Sequence, residues 1–252
     1  MDQKTNVISQ AFGALQACRS LVLTYLGVTC GIDVLSERYE SEWFWDIPSA
    51  LVGAVFVYHL CINLLGLEPE TGFFGKSQRQ FVLRYILLLF LPSFLMGWGI
   101  VLSVEMFPED FAYQSTLFVS VLTGLFVSFI LPLFLFGSAL PAQLLEIQPQ
   151  IISSIHRAGR QAGYLLTRML FLLVPAVLVS TAIFLVFEFT ELEMMPINAA
   201  GEVNVVGGLL LLISNLIGAL CDALLSVIIC NAYIKDLREQ GELPLAEAEV
   251  FA

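Results

Sequence analysis

Charged residues are scarce in this chain, and their scarcity limits the class of protein it can be. They make up 13% of the 252 residues, while 58% are hydrophobic; a soluble domain has roughly a quarter of its residues charged. The mean hydropathy of +0.85 therefore predicts a membrane protein. Lys and Arg number 11 against 22 Asp and Glu. Because nucleic-acid binding needs a basic stripe, no nucleic-acid partner is expected.

Residues that carry chemistry are also few. The only histidines are His59 and His156, and no metalloprotease, phosphate-loop, nucleophile-elbow or calcium-loop motif occurs. We therefore predict no metal, no cofactor and no enzymatic activity. All five cysteines lie in apolar segments without a C-x-x-C pair, which favours small buried side chains over a disulfide framework or zinc site. They are Cys18, Cys30, Cys61, Cys221 and Cys230.

Long apolar stretches are what the chain has in abundance. A membrane span needs about 20 such residues, and six candidates fit an all-α, polytopic transmembrane domain over residues 1–234. They are Ala11–Leu35, Ile47–Leu67, Phe81–Val104, Thr116–Leu140, Tyr164–Phe187 and Val203–Tyr233. The start of the chain is polar and shows no small-residue cleavage site, so the first stretch is expected to be a retained anchor.

Arg19 leaves two interpretations of the first stretch open. It can snorkel towards the headgroups from within a full span. Alternatively it marks the water boundary, and the remainder, Ser20–Leu35, is then short for a span. The full span is favoured because the topology then alternates along the whole chain.

The basic residues predict the orientation of the spans. Ten of the eleven fall in one set of loops and segment ends, and only Arg38 falls in the other. The ten are Lys4, Arg19, Lys76, Arg79, Arg84, Arg157, Arg160, Arg168, Lys235 and Arg238. Short loops rich in Lys and Arg stay in the cytoplasm. Both termini are therefore predicted to be cytoplasmic, with three acidic loops outside.

The cytoplasmic loop at residues 150–161 has the spacing of a short amphipathic helix. Ile151, Ile152, Ile155 and Ala158 share one face, and the other carries His156, Arg157 and Arg160. The basic face is expected to meet anionic lipid headgroups; a solvated connector is the alternative. The tail, Lys235–Ala252, is polar and acidic, and we expect little fixed structure in it.

Polar residues inside the predicted spans are the candidate site, because each costs free energy in hydrocarbon unless it has a partner. They are Arg19, His59, Asn63, Asn215 and Asp222. In one interpretation Asp222 and His59 form a proton or cation relay. In the other, Asp222 pairs with Arg19 or is neutral, and the group joins helices through hydrogen bonds. The second interpretation is favoured.

Two segments carry a resemblance to known proteins. They are Phe136-Gly137-Ser138-Ala139-Leu140-Pro141-Ala142, followed by Ser154 and Arg157, and the ending Cys230-Asn231-Ala232-Tyr233. They resemble uncharacterised bacterial inner-membrane proteins of about six spans, related to the membrane domain fused to some glycerophosphodiester phosphodiesterases. The resemblance implies a bacterial inner membrane and helical hairpins. This chain lacks the catalytic domain, so no activity or site residue is carried over.

The sequence thus predicts a non-catalytic accessory or scaffold protein that contacts membrane lipids or a larger membrane complex. A small transporter or channel component is the alternative, and a membrane-embedded enzyme ranks third because no catalytic constellation appears in the spans.

Overall fold

Helices form the secondary structure throughout the part of the chain that the structure describes. This structure, a computed structural model, describes residues 6–39, 42–68, 75–88, 130–145, 151–172 and 204–241, with residues 175 and 179. Side chains at 37–39, 42–46 and 151 lie outside the description. The all-α class is confirmed over the described residues, which contain no strand.

Three of the described helices are long and apolar enough to cross a membrane. In chain order the helices are α1 (Val7–Ala17), α2 (Arg19–Tyr39), α3 (Glu42–Leu64), α4 (residues 76–88), α5 (Leu131–Phe136), α6 (Ala139–Leu144), α7 (Ile151–Arg160), α8 (Ala162–Leu172) and α9 (Val205–Gln240). The candidate spans are α2, α3 and α9. Most of the predicted third, fourth and fifth spans lies outside the described residues, so the total of six membrane spans remains a prediction.

The predicted first span is not one helix. The backbone turns at Cys18, with φ −98° and ψ 26°, between the end of α1 and the start of α2. Arg19 is therefore an exposed residue at the start of α2, and the candidate span begins with it, at Arg19–Ser36. Helix α2 runs four residues past the predicted end at Leu35, and its 21 residues measure about 31 Å, which is enough for the hydrocarbon layer.

Helix α2 packs against both α3 and α9. The ring of Tyr25 stacks on that of Phe56 in α3, with centroids 4.3 Å apart. Tyr25 also pairs with Asp222 in α9, and Asp33 pairs with Asn215. Since the positions rise along α2 as they fall along α9, these two helices are antiparallel. Asp33, Asn215, Tyr25 and Asp222 meet on their facing surface.

Helix α1 packs along the C-terminal half of α9. Val7, Ala11 and Ala14, spaced at three and four residues, are buried, which is the pattern of one helix face. The side-chain amide of Asn231 donates to Gln10 Oε1 at 2.7 Å. The N-terminal segment thus belongs to the bundle, although the sequence placed the first four residues of α1 outside any span.

An apolar core surrounds the C-terminal end of α9. It joins α3, α4, α6 and α9 through Tyr58, Phe81, Leu140 and Tyr233, none more than 1% exposed. Beside it, Arg84 Nη1 in α4 donates to Gln143 Oε1 in α6 at 2.8 Å. This packing brings polar residues from distant parts of the sequence to one end of the bundle.

The predicted end of the last span at Tyr233, and the domain boundary after residue 234, do not coincide with the end of α9. The helix continues to Gln240, and Gly241 at φ 69° closes it with its N–H directed at the carbonyls of Leu237 and Arg238. Asp236 and Leu237 are 0% and 4% exposed. The first six residues of the predicted tail, 235–240, are therefore helical, and two of them are buried; residues 242–252 lie outside the description.

Glycine at position 137 gives a test of this packing. The predicted fourth span ran to Leu140, but α5 ends at Phe136, and Gly137 and Ser138 turn the chain into α6. A Cβ at Gly137 would lie 3.1 Å from Ile229 Cδ1 and would collide with the Leu133 carbonyl oxygen. We expect Gly137→Ala to destabilise the protein by about 1–3 kcal/mol through overpacking.

The matched control is Gly159→Ala in α7, where an added Cβ meets nothing within 4 Å. Because alanine has a higher helix propensity than glycine, this variant should be as stable as the parent protein or up to about 1 kcal/mol more stable. Thermal unfolding of detergent-purified protein, followed by intrinsic tryptophan fluorescence, compares the two. Equal unfolding temperatures would contradict the close approach of Gly137 to α9.

Candidate functional site

An ion-paired cluster, the ionic clamp, joins α7 to the end of α9 through Arg157, Arg160 and Asp236. Arg157 Nε lies 3.0 Å from Asp236 Oδ2. Arg160 holds both carboxylate oxygens, with Nε 2.8 Å from Oδ1 and Nη2 2.9 Å from Oδ2. Two guanidinium groups thus share one carboxylate that is fully buried. Bidentate pairing of this kind fixes the orientation of both partners as well as adding strength.

Arg157 makes further contacts that replace its lost water. Nη1 donates to Ser138 Oγ at 3.2 Å, and Cζ lies 4.6 Å from the ring centre of Tyr233. Its side chain is 10% exposed, whereas that of Arg160 is 47% exposed. A buried charge is tolerated only when it is paired and hydrogen-bonded. Arg157 meets this condition through three contacts on two elements: Asp236 and Tyr233 of α9, and Ser138 in the turn before α6.

Two amides extend the clamp along α9. Gln161 Nε2 donates to Glu239 Oε2 at 2.6 Å, and Gln240 Nε2 donates to Asp236 Oδ2 at 3.0 Å. Gln161 is buried, at 2% exposure. Since the partners lie 76–79 residues apart in sequence, the clamp is a tertiary feature and no local pattern encodes it.

The clamp corrects the predicted orientation of α7. Its buried face consists of Ser154, Arg157 and Ala158, together with Gln161, which follows α7. Ile152 is 67% exposed and Ile155 is 42% exposed. Arg157 therefore faces the protein and not the headgroups, because it is a partner of the buried Asp236. Arg160 is half-exposed but paired with the same carboxylate, and His156 is exposed. Contact of His156 and Arg160 with lipid stays a prediction.

A second group, the polar seam, lies between α2 and α9. Asn215 Nδ2 donates to Asp33 Oδ2 at 2.7 Å and lies 3.1 Å from the carbonyl oxygen of Leu211. About two turns further along, the Tyr25 hydroxyl faces the Asp222 carboxyl within interaction range. Each pair joins the two helices side chain to side chain. Such bonds hold membrane helices together and fix their register.

Only two of the five predicted intramembrane residues, Asn215 and Asp222, lie in this seam. Arg19 and Asn63 are exposed. His59 is half-buried and makes an edge contact with its neighbour Tyr58, at 5.1 Å between ring centroids. None of these three forms an ion pair or side-chain hydrogen bond with another described residue. The predicted Arg19–Asp222 and His59–Asp222 pairs are therefore not found; Tyr25 stands in their place.

Sequence reasoning missed Asp33, Tyr25 and Asp236. Asp33 was detectable, since it is an acid inside the predicted first span and falls under the same rule that selected Asp222. Asp236 was detectable in part. The apolar residues Cys230, Tyr233, Ile234 and Leu237 keep the spacing of one helix face, so the helix could have been extended past it. Its arginine partners had no such signal.

The two groups differ in the chemistry open to them. In the clamp the charged groups are ion-paired with one another. In the seam, two carboxyl groups have neutral side chains as their partners. Among the residues the structure describes, no cluster of His, Cys, Asp and Glu could hold a metal ion. Comparison with family models, curated proteins and solved structures finds no match for this chain. The resemblance to six-span inner-membrane proteins therefore stays a prediction.

The clamp gives a ranked stability prediction. Asp236→Ala should destabilise most, because it leaves the buried Arg157 without its anion; breaking a buried pair costs about 3–5 kcal/mol. Arg157→Ala should follow, since Arg160 still pairs with Asp236. Arg160→Ala should cost least of the three, because that side chain is half-exposed. Unfolding of purified variants in mixed micelles, followed by circular dichroism, gives the order.

Lys235→Ala is the control for that series. Lys235 is 51% exposed and lies 3.8 Å from Glu239, and an exposed pair contributes roughly 0–1 kcal/mol. An Asp236→Ala variant no less stable than Lys235→Ala would show that the clamp does not hold α7 in place.

The seam predicts an energetic coupling between Asp33 and Asn215. In a double-mutant cycle of Asp33→Ala and Asn215→Ala, the two losses should be non-additive, because removal of either partner removes the same bond. Coupling energies of interhelical hydrogen bonds in membranes are about 0.6–2 kcal/mol. Steric trapping in bicelles measures the four stabilities. Ser214→Ala, exposed and next to Asn215, should show no coupling to Asp33→Ala; equal coupling would contradict the pair.

Proposed function

We propose that this chain is a non-catalytic scaffold or accessory protein of the bacterial inner membrane, which contacts lipids or a larger membrane complex. It spans the membrane six times with both ends in the cytoplasm. The observation that carries the proposal is the pairing within the polar seam. Asn215 donates a hydrogen bond to Asp33, and Tyr25 faces Asp222 across the same helix interface, so the polar groups serve to hold α2 against α9.

The distribution of charge supports the proposed orientation. Arg157, Arg160 and Lys235 lie at the C-terminal end of α9, and Arg84 reaches the same end through Gln143. Basic residues gather on the cytoplasmic side of membrane proteins. A bundle with its cations on one side and the seam in its interior is suited to holding a defined surface within the membrane.

A transporter or channel component is the second candidate, and one observation favours it. Asp33 and Asp222 lie on the same α2–α9 interface, about 11 Å apart along the helices at 1.5 Å per residue. Neither is ion-paired with a cation that the structure describes. A proton or cation path would therefore run between Asp222 and Asp33, and not between Asp222 and His59.

Proton flux separates the two functions. We expect vesicles that contain the purified protein and an internal pH dye to carry an imposed potassium–valinomycin potential without proton uptake above that of protein-free vesicles. Asp222→Asn should leave this result unchanged, because in a scaffold the carboxyl is a packing group. Uptake by the parent protein that Asp222→Asn and Asp33→Asn both abolish, at equal yield and fold, would establish the second candidate instead.

Extraction of native membranes in mild detergent, followed by native mass spectrometry, tests the scaffold function itself. The chain should leave the membrane with a stoichiometric protein partner or with retained phospholipid. A bare chain under conditions that preserve a known membrane complex from the same sample would contradict the proposal.

A further inference from the structure

Helix α7 presents an unusual combination of faces to its surroundings. Arg157, the most buried of its basic residues, points into the protein, and Ile152 and Ile155 point outward at 67% and 42% exposure. A water-facing amphipathic helix has the opposite arrangement, with apolar residues in and charges out. This inverted arrangement of apolar and charged residues indicates which medium surrounds the outer face of α7.

An apolar medium is the one that this arrangement fits. If the outer face of α7 met water, the two exposed isoleucines would lack the stabilisation of burial. The guanidinium of Arg157 has in addition lost its hydration, because it is buried in the protein. The clamp with Asp236 compensates only the second loss. When the outer face meets lipid, the isoleucines are buried as well, and both faces of α7 are satisfied.

The neighbouring helix places this outer face beside the membrane. Only Gln161 separates α7 from α8, an apolar helix whose outer surface exposes Leu166, Leu170 and Phe171 at 37%, 46% and 68%. The apolar exterior of α8, the start of a predicted span, is thus continuous in the chain with that of α7. The clamp also fixes α7 to the C-terminal end of α9, which is itself a candidate span.

A second copy of the chain fits this surface less well than lipid does. Stable protein interfaces bury more than about 1,000 Å², and two isoleucine side chains on a 10-residue helix offer only a small part of that. His156, exposed and four residues from Ile152, lies beside the isoleucines and is polar enough for the headgroup level.

We infer that the outer face of α7 lies against the membrane, with Ile152 and Ile155 inserted among the lipid acyl chains and the clamp holding Arg157 inward. The surface is thus a lipid-binding face, and its partner is the phospholipid leaflet on the side of the α9 C-terminus. The inference rests on the proposed membrane function and specifies its lipid contact.

Collision measurements by electron paramagnetic resonance test this orientation. A ketoxime spin label on p-acetylphenylalanine, which leaves the native cysteines in place, is introduced at Ile152 or Ile155 of the full chain in phosphatidylcholine–phosphatidylglycerol vesicles. The references are Leu216, 52% exposed near the middle of the predicted last span, and Lys76, exposed at the start of α4. Oxygen, which concentrates in the bilayer, and nickel-EDDA, which stays in water, are the collision partners.

At Ile152 and Ile155 we expect the ratio of oxygen to nickel-EDDA collisions to rise above that at Lys76 and approach that at Leu216. Nickel-EDDA collisions as frequent as at Lys76 would show that α7 faces water and overturn the inference. Low collision with both reagents would show protein covering the isoleucines, and would overturn it too. If a labelled variant does not fold, quenching of Ile152→Trp fluorescence by brominated lipid, above the background of the native tryptophans, decides the same question.

The outcomes are separable from the proposed function. Water around α7, together with an absence of proton flux, would overturn the inserted helix and leave the scaffold. Proton flux that depends on Asp222 would overturn the scaffold and leave the orientation of α7 to the collision ratios.

Discussion

The contact of two arginines with one buried carboxylate organises the cytoplasmic end that we propose for this bundle. Asp236 is fully buried and would be very costly there without cations. Arg157 and Arg160 provide them, and Ser138 and Tyr233 complete the surroundings of Arg157. As a result the orientation of α7, its outward isoleucines and the extension of α9 past Tyr233 are one linked arrangement.

The polar seam applies the same constraint within the apolar region. Asn215 and Asp222 lie seven residues apart on α9, and Asp33 and Tyr25 lie eight apart on α2. Two pairings at matched spacing fix the register of antiparallel helices, which apolar packing alone leaves loosely defined. Tyr25 also stacks on Phe56, so a single side chain relates α2 to both of its neighbours. The seam therefore explains helix association without requiring a substrate.

Local patterns predicted the helices well and their partners poorly. The apolar runs located α2, α3 and most of α9, and the spacing of residues 151–160 predicted α7. The same spacing gave the wrong outward face, because a basic stripe on an isolated helix faces water or headgroups unless a buried anion competes for it. Asp236 is that anion. It was assigned to a polar tail, since nothing within its own segment indicates a cation some 80 residues away. The first predicted span was drawn through Cys18 for a related reason: the composition stays apolar across this turn, so hydropathy gives no sign that one helix ends and another begins.

The sequence by itself determined the membrane class, the all-α architecture of the described residues and the apolar identity of three spans, because these follow from composition and from periods of three to four residues. Tertiary structure alone decided which polar groups meet. The local sequence allows Arg157 to pair with lipid phosphate or with Asp236. It likewise allows Asp222 to pair with Arg19, His59 or Tyr25, and it does not distinguish between these partners. The choice depends on which helices pack together and in what register, and that is a property of the assembled bundle, where desolvation penalises every polar group left without a partner.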